Sequence, residues 1–165
     1  MKRVLITGMS GTGKTSVIRE LLARGNQAHD LDTAEWSHWV PAAPGDDLTP
    51  GQGEDWVWQL DKVEALLSRP TPGPLFVSGC AENMPGVLHL FDAVVLLSAP
   101  LPTILARLAA RTGSGYGHTE EERRKVAELI GTIEPLLRQS ADFEIDTRQP
   151  VQATVDALFR FIELR

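Results

Sequence analysis

The stretch Gly8-Met9-Ser10-Gly11-Thr12-Gly13-Lys14-Thr15 reads G-x-x-x-x-G-K-[ST], and with its flanks it restricts the fold more than any other part of the chain. Val4-Leu5-Ile6-Thr7 before it suits a short buried parallel strand, and Val17, Ile18, Leu21 and Leu22 after it repeat with helical spacing. Strand, glycine loop and helix are what a phosphate cradle requires. Gly8, Ser10, Gly11, Thr12 and Gly13, with Ser16 just beyond, are expected to close around the phosphates of a bound nucleotide through backbone N–H groups and the helix start. Lys14 reaches the outer phosphates, and Thr15 offers its hydroxyl to Mg2+.

At 165 residues the chain suits one domain, 1–165. A net charge of −6 and a pI near 5.2 argue against a nucleic-acid partner, which calls for a basic face. No leader is evident and no apolar run approaches the ~20 residues of a membrane span, so the expectation is a cytoplasmic protein without a membrane partner. Cys80 stands alone, which excludes an intrachain disulfide and a thiolate zinc cluster; it reads as a small buried residue after a strand.

Gly25 stops the first helix, and residues 27–32 read as a second strand ending in the pair Asp30 and Asp32. Parallel strands end along the same edge as the phosphate loop, so these carboxylates would face the transferred group or its metal. Asp30 is assigned to Mg2+ with Thr15, and Asp32 to orienting or deprotonating an acceptor hydroxyl. The alternative for Asp32 is a helix cap, and for Asp30 a solvated acid. Residues 35–53 lose periodicity and gather proline and glycine, the composition of a substrate-covering insertion. A helix is expected over 54–68, with Trp56, Leu60, Val63 and Leu67 on one face.

Leu75 to Gly79 suits a third strand that leads into Cys80-Ala81-Glu82-Asn83, and Phe91 to Leu97 a fourth. A helix carrying Leu101, Ile104, Leu105 and Leu108 places Arg107 and Arg111 on one face. A glycine-rich flap covers about 112–119 and includes His118, which reads either as a phosphate contact or as a solvated histidine. A long helix from about Thr119, in which Pro135 is expected to introduce a kink or start a new turn, a last strand at 143–146 and a closing helix over 151–164 complete the chain. The alternation predicts an α/β fold: a parallel five-stranded sheet with helices on both faces and a lid segment.

With the phosphate loop, the aspartate pair, the paired arginines and the flap in this order, the chain resembles the small P-loop kinases of metabolites and nucleotides, especially shikimate kinase and adenylate kinase. That resemblance implies an ATP-dependent kinase in which the flap closes over ATP, Arg107 lies near the base and Arg111 meets the phosphates. It also implies that Asp146-Thr147-Arg148-Gln149-Pro150 wraps the adenine, with Arg148 and Pro150 touching it; a plain turn is the other reading. Lys14, Asp32 and Arg111 are then the catalytic set.

Two departures bear on the acceptor. A shikimate kinase is expected to hold a carboxylate, and a nucleoside monophosphate kinase a phosphate, with arginine in the segment after the aspartate pair. Between Glu35 and Ser68 this chain has no arginine and one lysine, Lys62, against Glu35, Asp46, Asp47, Glu54, Asp55, Asp61 and Glu64. A neutral or cationic small-molecule acceptor is therefore expected within the segment 33–68. All four tryptophans fall there: Trp56 reads as core, and Trp36, Trp39 and Trp58 as acceptor-stacking residues. The glycine triplet that shikimate kinases use after the third strand is absent, and Asn83 is a candidate hydrogen-bonding group for the acceptor or a turn residue. A nucleoside monophosphate kinase and a regulatory nucleotide-binding module remain the alternatives, although the N-K-x-D string of a GTPase switch is missing. The histidines His29, His38 and His89 have no metal-binding spacing.

Overall fold

The computed structural model describes residues 2–46, 53–111 and 119–164. Five strands, β1 Arg3–Thr7, β2 Gln27–Asp30, β5 Leu75–Ser78, β6 Ala93–Ser98 and β7 Phe143–Asp146, form one sheet in the order β2-β5-β1-β6-β7. Every pairing in it is parallel, as the alternation of strands and helices predicts. The three central strands, β5, β1 and β6, are mostly apolar because both of their faces are covered. Val4, Ile6, Phe76, Val95 and Leu97 point to one face, where they meet helices α1 (Lys14–Ala23) and α5 (Val151–Glu163) through Val17, Ile18, Leu21, Val155, Leu158 and Ile162. Leu5, Leu75, Val77, Val94 and Leu96 alternate to the other face. There they pack on helix α2 (Leu60–Leu67), a 3₁₀ helix at Met84–Leu90, and Leu137 of helix α4 (Glu120–Ser140).

Helix α3 (Leu101–Ala110) joins α4 through a smaller cluster of Ile104, Leu108 and Val126. Because β1, β2 and β5 run parallel, Thr7, Asp30 and Ser78 end on one edge, and the residues that follow them are placed side by side. Helix α4 continues unbroken through Pro135, so no new helix starts there. No helix among the described residues is long and apolar enough to cross a membrane.

The sequence expectation fails between residues 37 and 58. Glu54–Trp58 is not the first turn of a helix but strand β4, paired antiparallel with β3 (Ser37–Pro41), in a stretch read as irregular. The helical spacing Trp56-Leu60-Val63-Leu67 holds only from Leu60 onward. Glu-Asp-Trp-Val-Trp is equally a strand pattern, and its partner, which sets Trp39 against Trp56, decides between them. Strand β2 likewise stops at Asp30, leaving Asp32 in the turn beyond it.

Helix α4 opens with a reciprocal cap: Glu122 N–H donates to Thr119 Oγ1 at 3.1 Å, and Thr119 N–H to Glu122 Oε2 at 3.2 Å. Thr119→Ala removes one acceptor for the orphan amides of the first turn and is expected to lower stability by about 1 kcal/mol in urea titrations. An unchanged midpoint would show that α4 does not depend on its cap.

Candidate active site

The phosphate loop spans the gap between β1 and α1; Gly8 and Gly11 are there for space, and Gly13 for its left-handed backbone at φ +99°. A Cβ on Gly8 would lie 2.5 Å from the Leu97 carbonyl oxygen and 2.7 Å from Thr12 Oγ1. Thr12 is fully buried and donates its hydroxyl to the Met9 carbonyl at 2.7 Å, so its side chain braces the loop and only its backbone is available to a phosphate. Lys14 Nζ lies over the loop, donating to Gly8 O at 2.6 Å and Met9 O at 3.1 Å. Ser10, Thr15 and Ser16 are exposed at the mouth of the loop. Thr15 Oγ1 donates to Asp30 Oδ2 at 3.2 Å, which joins the two residues read from the sequence as metal-binding.

Asp32 stands on the same edge, in a half-buried position. Its Oδ1 accepts from Trp58 Nε1 at 3.1 Å, and the Cys80 amide reaches both oxygens, at 3.2 Å and 3.1 Å. Its own N–H donates to Asp30 Oδ1 at 3.1 Å, so the aspartate pair is linked through the backbone. Burial pushes the Asp32 carboxyl above the ordinary aspartate range, against the Lys14 charge and these two donors, which pull it down. Gly79 makes the approach possible: a Cβ there would be 2.8 Å from Asp32 Oδ1 and 2.8 Å from Trp58 Cζ2. Cys80 is half-buried rather than buried, and desolvation pushes its thiol up, which makes it a poor nucleophile.

Trp58 therefore takes another part than acceptor stacking. It is 1% exposed, it holds Asp32, and it belongs to the core under the hairpin. Asn83 likewise spends its amide on Trp58: Oδ1 accepts from Trp58 N at 3.1 Å and Nδ2 donates to Trp58 O at 2.8 Å. Trp36 is buried, with its ring edge-on to His29 at 5.4 Å. Trp56, expected in the core, is only partly buried; its indole N–H donates to Asp32 O at 3.1 Å and its ring tilts against Trp39 at 5.0 Å. Trp39 is half exposed and is the tryptophan of the four with most surface.

A cleft of 350 Å³ opens on the other side of the loop, with Gly11, Gly13, Ser16, Arg107, Arg111, Thr147 and Gln149 in its wall. Arg107 Nη1 donates to Gly11 O at 3.1 Å and Thr147 Oγ1 at 3.0 Å, and Nη2 to Thr147 O at 2.5 Å. Thr147 Oγ1 in turn donates to Thr12 O at 2.7 Å. Arg111 is exposed, just past the end of α3.

Arg148 does not line this cleft. It pairs with Asp146 at 2.7 Å and borders a separate shallow groove with Phe143 and Ala157. Pro150 is the cap of α5 and is not in the wall either. Thr147 and Gln149, between the expected residues, are. The sequence signal, a polar loop before the last helix, located the segment but not which side chains turn inward. The flap and His118 lie outside the described residues, apart from Thr119, which caps α4.

With this geometry in place, the chain matches the AAA domain family over residues 4–128. It is 23% identical to a shikimate kinase of Neisseria meningitidis, over 96% of each chain, and 23% identical to one of Caldanaerobacter subterraneus, over 88% of this chain and 86% of that one. Among solved structures it is similar to the shikimate kinase of Acinetobacter baumannii in complex with shikimate, with a TM-score of 0.66, 19% identity, and coverage of 98% of this chain and 93% of that one. The shikimate kinase of Bacteroides thetaiotaomicron also gives a TM-score of 0.66, at 14% identity, over 98% of both chains. These likenesses extend over nearly the whole chain, and at these identities the solved structures speak for the fold.

Gly79→Ala is expected to force Asp32 and Trp58 apart. The outcome is a loss of about 1–3 kcal/mol in chemical denaturation, together with a change in native tryptophan emission. Wild-type stability and emission would show that the packing of Asp32 on Trp58 does not require a glycine at 79.

Proposed function

This chain belongs to the AAA domain family of P-loop proteins, and on that premise we propose that it is a kinase transferring the γ-phosphoryl group of ATP to a hydroxyl of a neutral or cationic small molecule. The observation that carries the reading is Asp32: a desolvated carboxylate at the edge of the phosphate loop, held by Trp58 and Cys80 and within the field of Lys14. An immobilised acid beside the loop lysine is placed to take a proton from an oxygen nucleophile.

In this reading Asp32 accepts the proton of the acceptor hydroxyl and orients its oxygen. Lys14 and Arg111 neutralise charge on the transferred group, and the 350 Å³ cleft beside Arg107, Thr147 and Gln149 takes the base. The Thr15 hydroxyl and the Asp30 carboxylate are hard oxygen donors hydrogen-bonded to each other, a set that suits Mg2+. Mg2+ bound there would supply charge neutralisation at the phosphates.

Support for the acceptor class comes from the hairpin side. The single lysine of the segment, Lys62, is tethered to the Glu35 carbonyl at 3.1 Å. Trp39, half exposed against Trp56, offers the aromatic surface for a sugar, base or ammonium group that Trp36 and Trp58 do not.

Phosphoryl transfer to pooled nucleosides, sugars and amino alcohols, with shikimate and nucleoside monophosphates alongside, tests the reading. Turnover is expected with a neutral or cationic hydroxyl compound; efficient turnover of shikimate or of a monophosphate would overturn the acceptor class. Lys14→Ala should lose nucleotide binding or turnover. Asp32→Asn should keep ATP binding and lose transfer by at least about a hundredfold, and normal turnover would remove Asp32 from the reaction. Because burial raises the Asp32 carboxyl, the acid limb of kcat/KM should fall above the ordinary aspartate pKa of about 4, with activity retained on the alkaline side of it.

A further inference from the structure

Asp46, Asp55 and Glu82 come from three separate segments, yet each presents a carboxylate oxygen within 4.8 Å of the other two. Asp46 precedes residues 47–52, Asp55 is the second residue of β4, and Glu82 follows the end of β5. Asp55 is the informative member. It is only 6% exposed, and its Oδ2, wholly shielded from solvent, accepts no hydrogen bond. A shielded carboxylate oxygen without a protein donor is unfavourable unless a cation, a proton or water occupies the space it faces.

From this geometry we propose that Asp46, Asp55 and Glu82 form a binding site for a hard divalent cation of Ca2+ size, separate from the phosphate loop. The pleat separates it from Asp32. Trp56 and Trp58 both send their indole N–H groups to Asp32, so Asp55, one residue before Trp56 and out of step with both, projects from the opposite face of β4. An acceptor lying against Asp32 is therefore not what this cluster holds.

Ca2+ takes six to eight oxygens at about 2.3–2.6 Å, so two of its ligands stand at most about 5 Å apart. The three oxygens lie within 4.8 Å of one another, inside that span, and Ca2+ accepts irregular carboxylate geometry where Mg2+ demands a near-ideal octahedron. Exposed Glu82 and partly buried Asp46 leave the outer positions to water. The bound ion would tie the hairpin strand to the loop after β5 at the point where Asn83 already grips Trp58. The site is independent of phosphoryl transfer, so the test reads binding and not activity.

The probe is CaCl2 added to the full chain after chelator treatment and without nucleotide, followed by tryptophan emission and thermal unfolding; Trp56 is the chain neighbour of Asp55 and reports on it. A saturable emission change and a raised Tm are expected, with MgCl2 weaker and NaCl inactive. Glu82→Gln, at an exposed position that does not threaten folding, should weaken Ca2+ binding roughly tenfold or more, and Asp55→Asn should abolish it. Asp30→Asn should leave the response intact. No saturable response, a response unchanged in Glu82→Gln, or a response lost in Asp30→Asn would overturn the proposal. So would an Asp55→Asn variant that is more stable than a wild type indifferent to Ca2+, the signature of a proton shared between Asp55 and Glu82.

Discussion

The hold on Asp32 is the constraint that the active edge depends on. A carboxylate taken out of water is unfavourable unless donors meet it, and here the donors come from the hairpin, through the Trp58 indole, and from the end of β5, through the Cys80 amide. Those two partners fix where β4 and the loop after β5 sit relative to the end of β2. Gly79 follows from the same requirement, since any side chain there would occupy the space shared by Asp32 and Trp58. Asn83 completes the arrangement by gripping both polar groups of the Trp58 backbone, so the indole is positioned from behind.

A second network braces the opposite flank of the phosphate loop. Thr147, buried at the end of β7, donates to the Thr12 carbonyl and receives Arg107, which also reaches Gly11. The loop is thus braced by a buried hydroxyl and a guanidinium on one flank, with the aspartate pair on the other. Both attachments use side chains on residues that follow parallel strands or on a crossover helix, which explains why a sheet of this topology concentrates its chemistry on one edge. The salt bridge of Arg148 with Asp146 lies outside this system and serves the surface of the turn.

Local patterns carried most of the architecture. The β1-loop-α1 unit, the two-faced apolar strands and the terminal helix were legible because their periodicities are satisfied within a few residues of chain. The hairpin was not. Glu54–Trp58 supports a helical and a strand reading alike, and what selects the strand is pairing with Ser37–Pro41, across a proline- and glycine-rich connection whose pattern gives no register. Misplacing that hairpin inverted the roles of the tryptophans. On a helix stripe Trp56 would be core and Trp58 open; on a strand both turn toward Asp32, with Trp58 buried beneath and Trp56 against Trp39.

By itself the sequence determined that the chain builds a nucleotide-phosphate loop on a parallel sheet, because the conformational needs of the glycines and the flanking apolar repeats are short-range properties. It also determined the acidity of the segment after Asp32, which is composition alone. Only the tertiary structure decided what surrounds Asp32, which polar residues face the cleft beside Arg107, and that Asp46, Asp55 and Glu82 meet. The Asp32 donors stand 26 and 48 residues away in the chain, and no local pattern encodes contacts at that range. They arise when parallel strands end side by side and a desolvated carboxylate takes the donors that the fold brings to it.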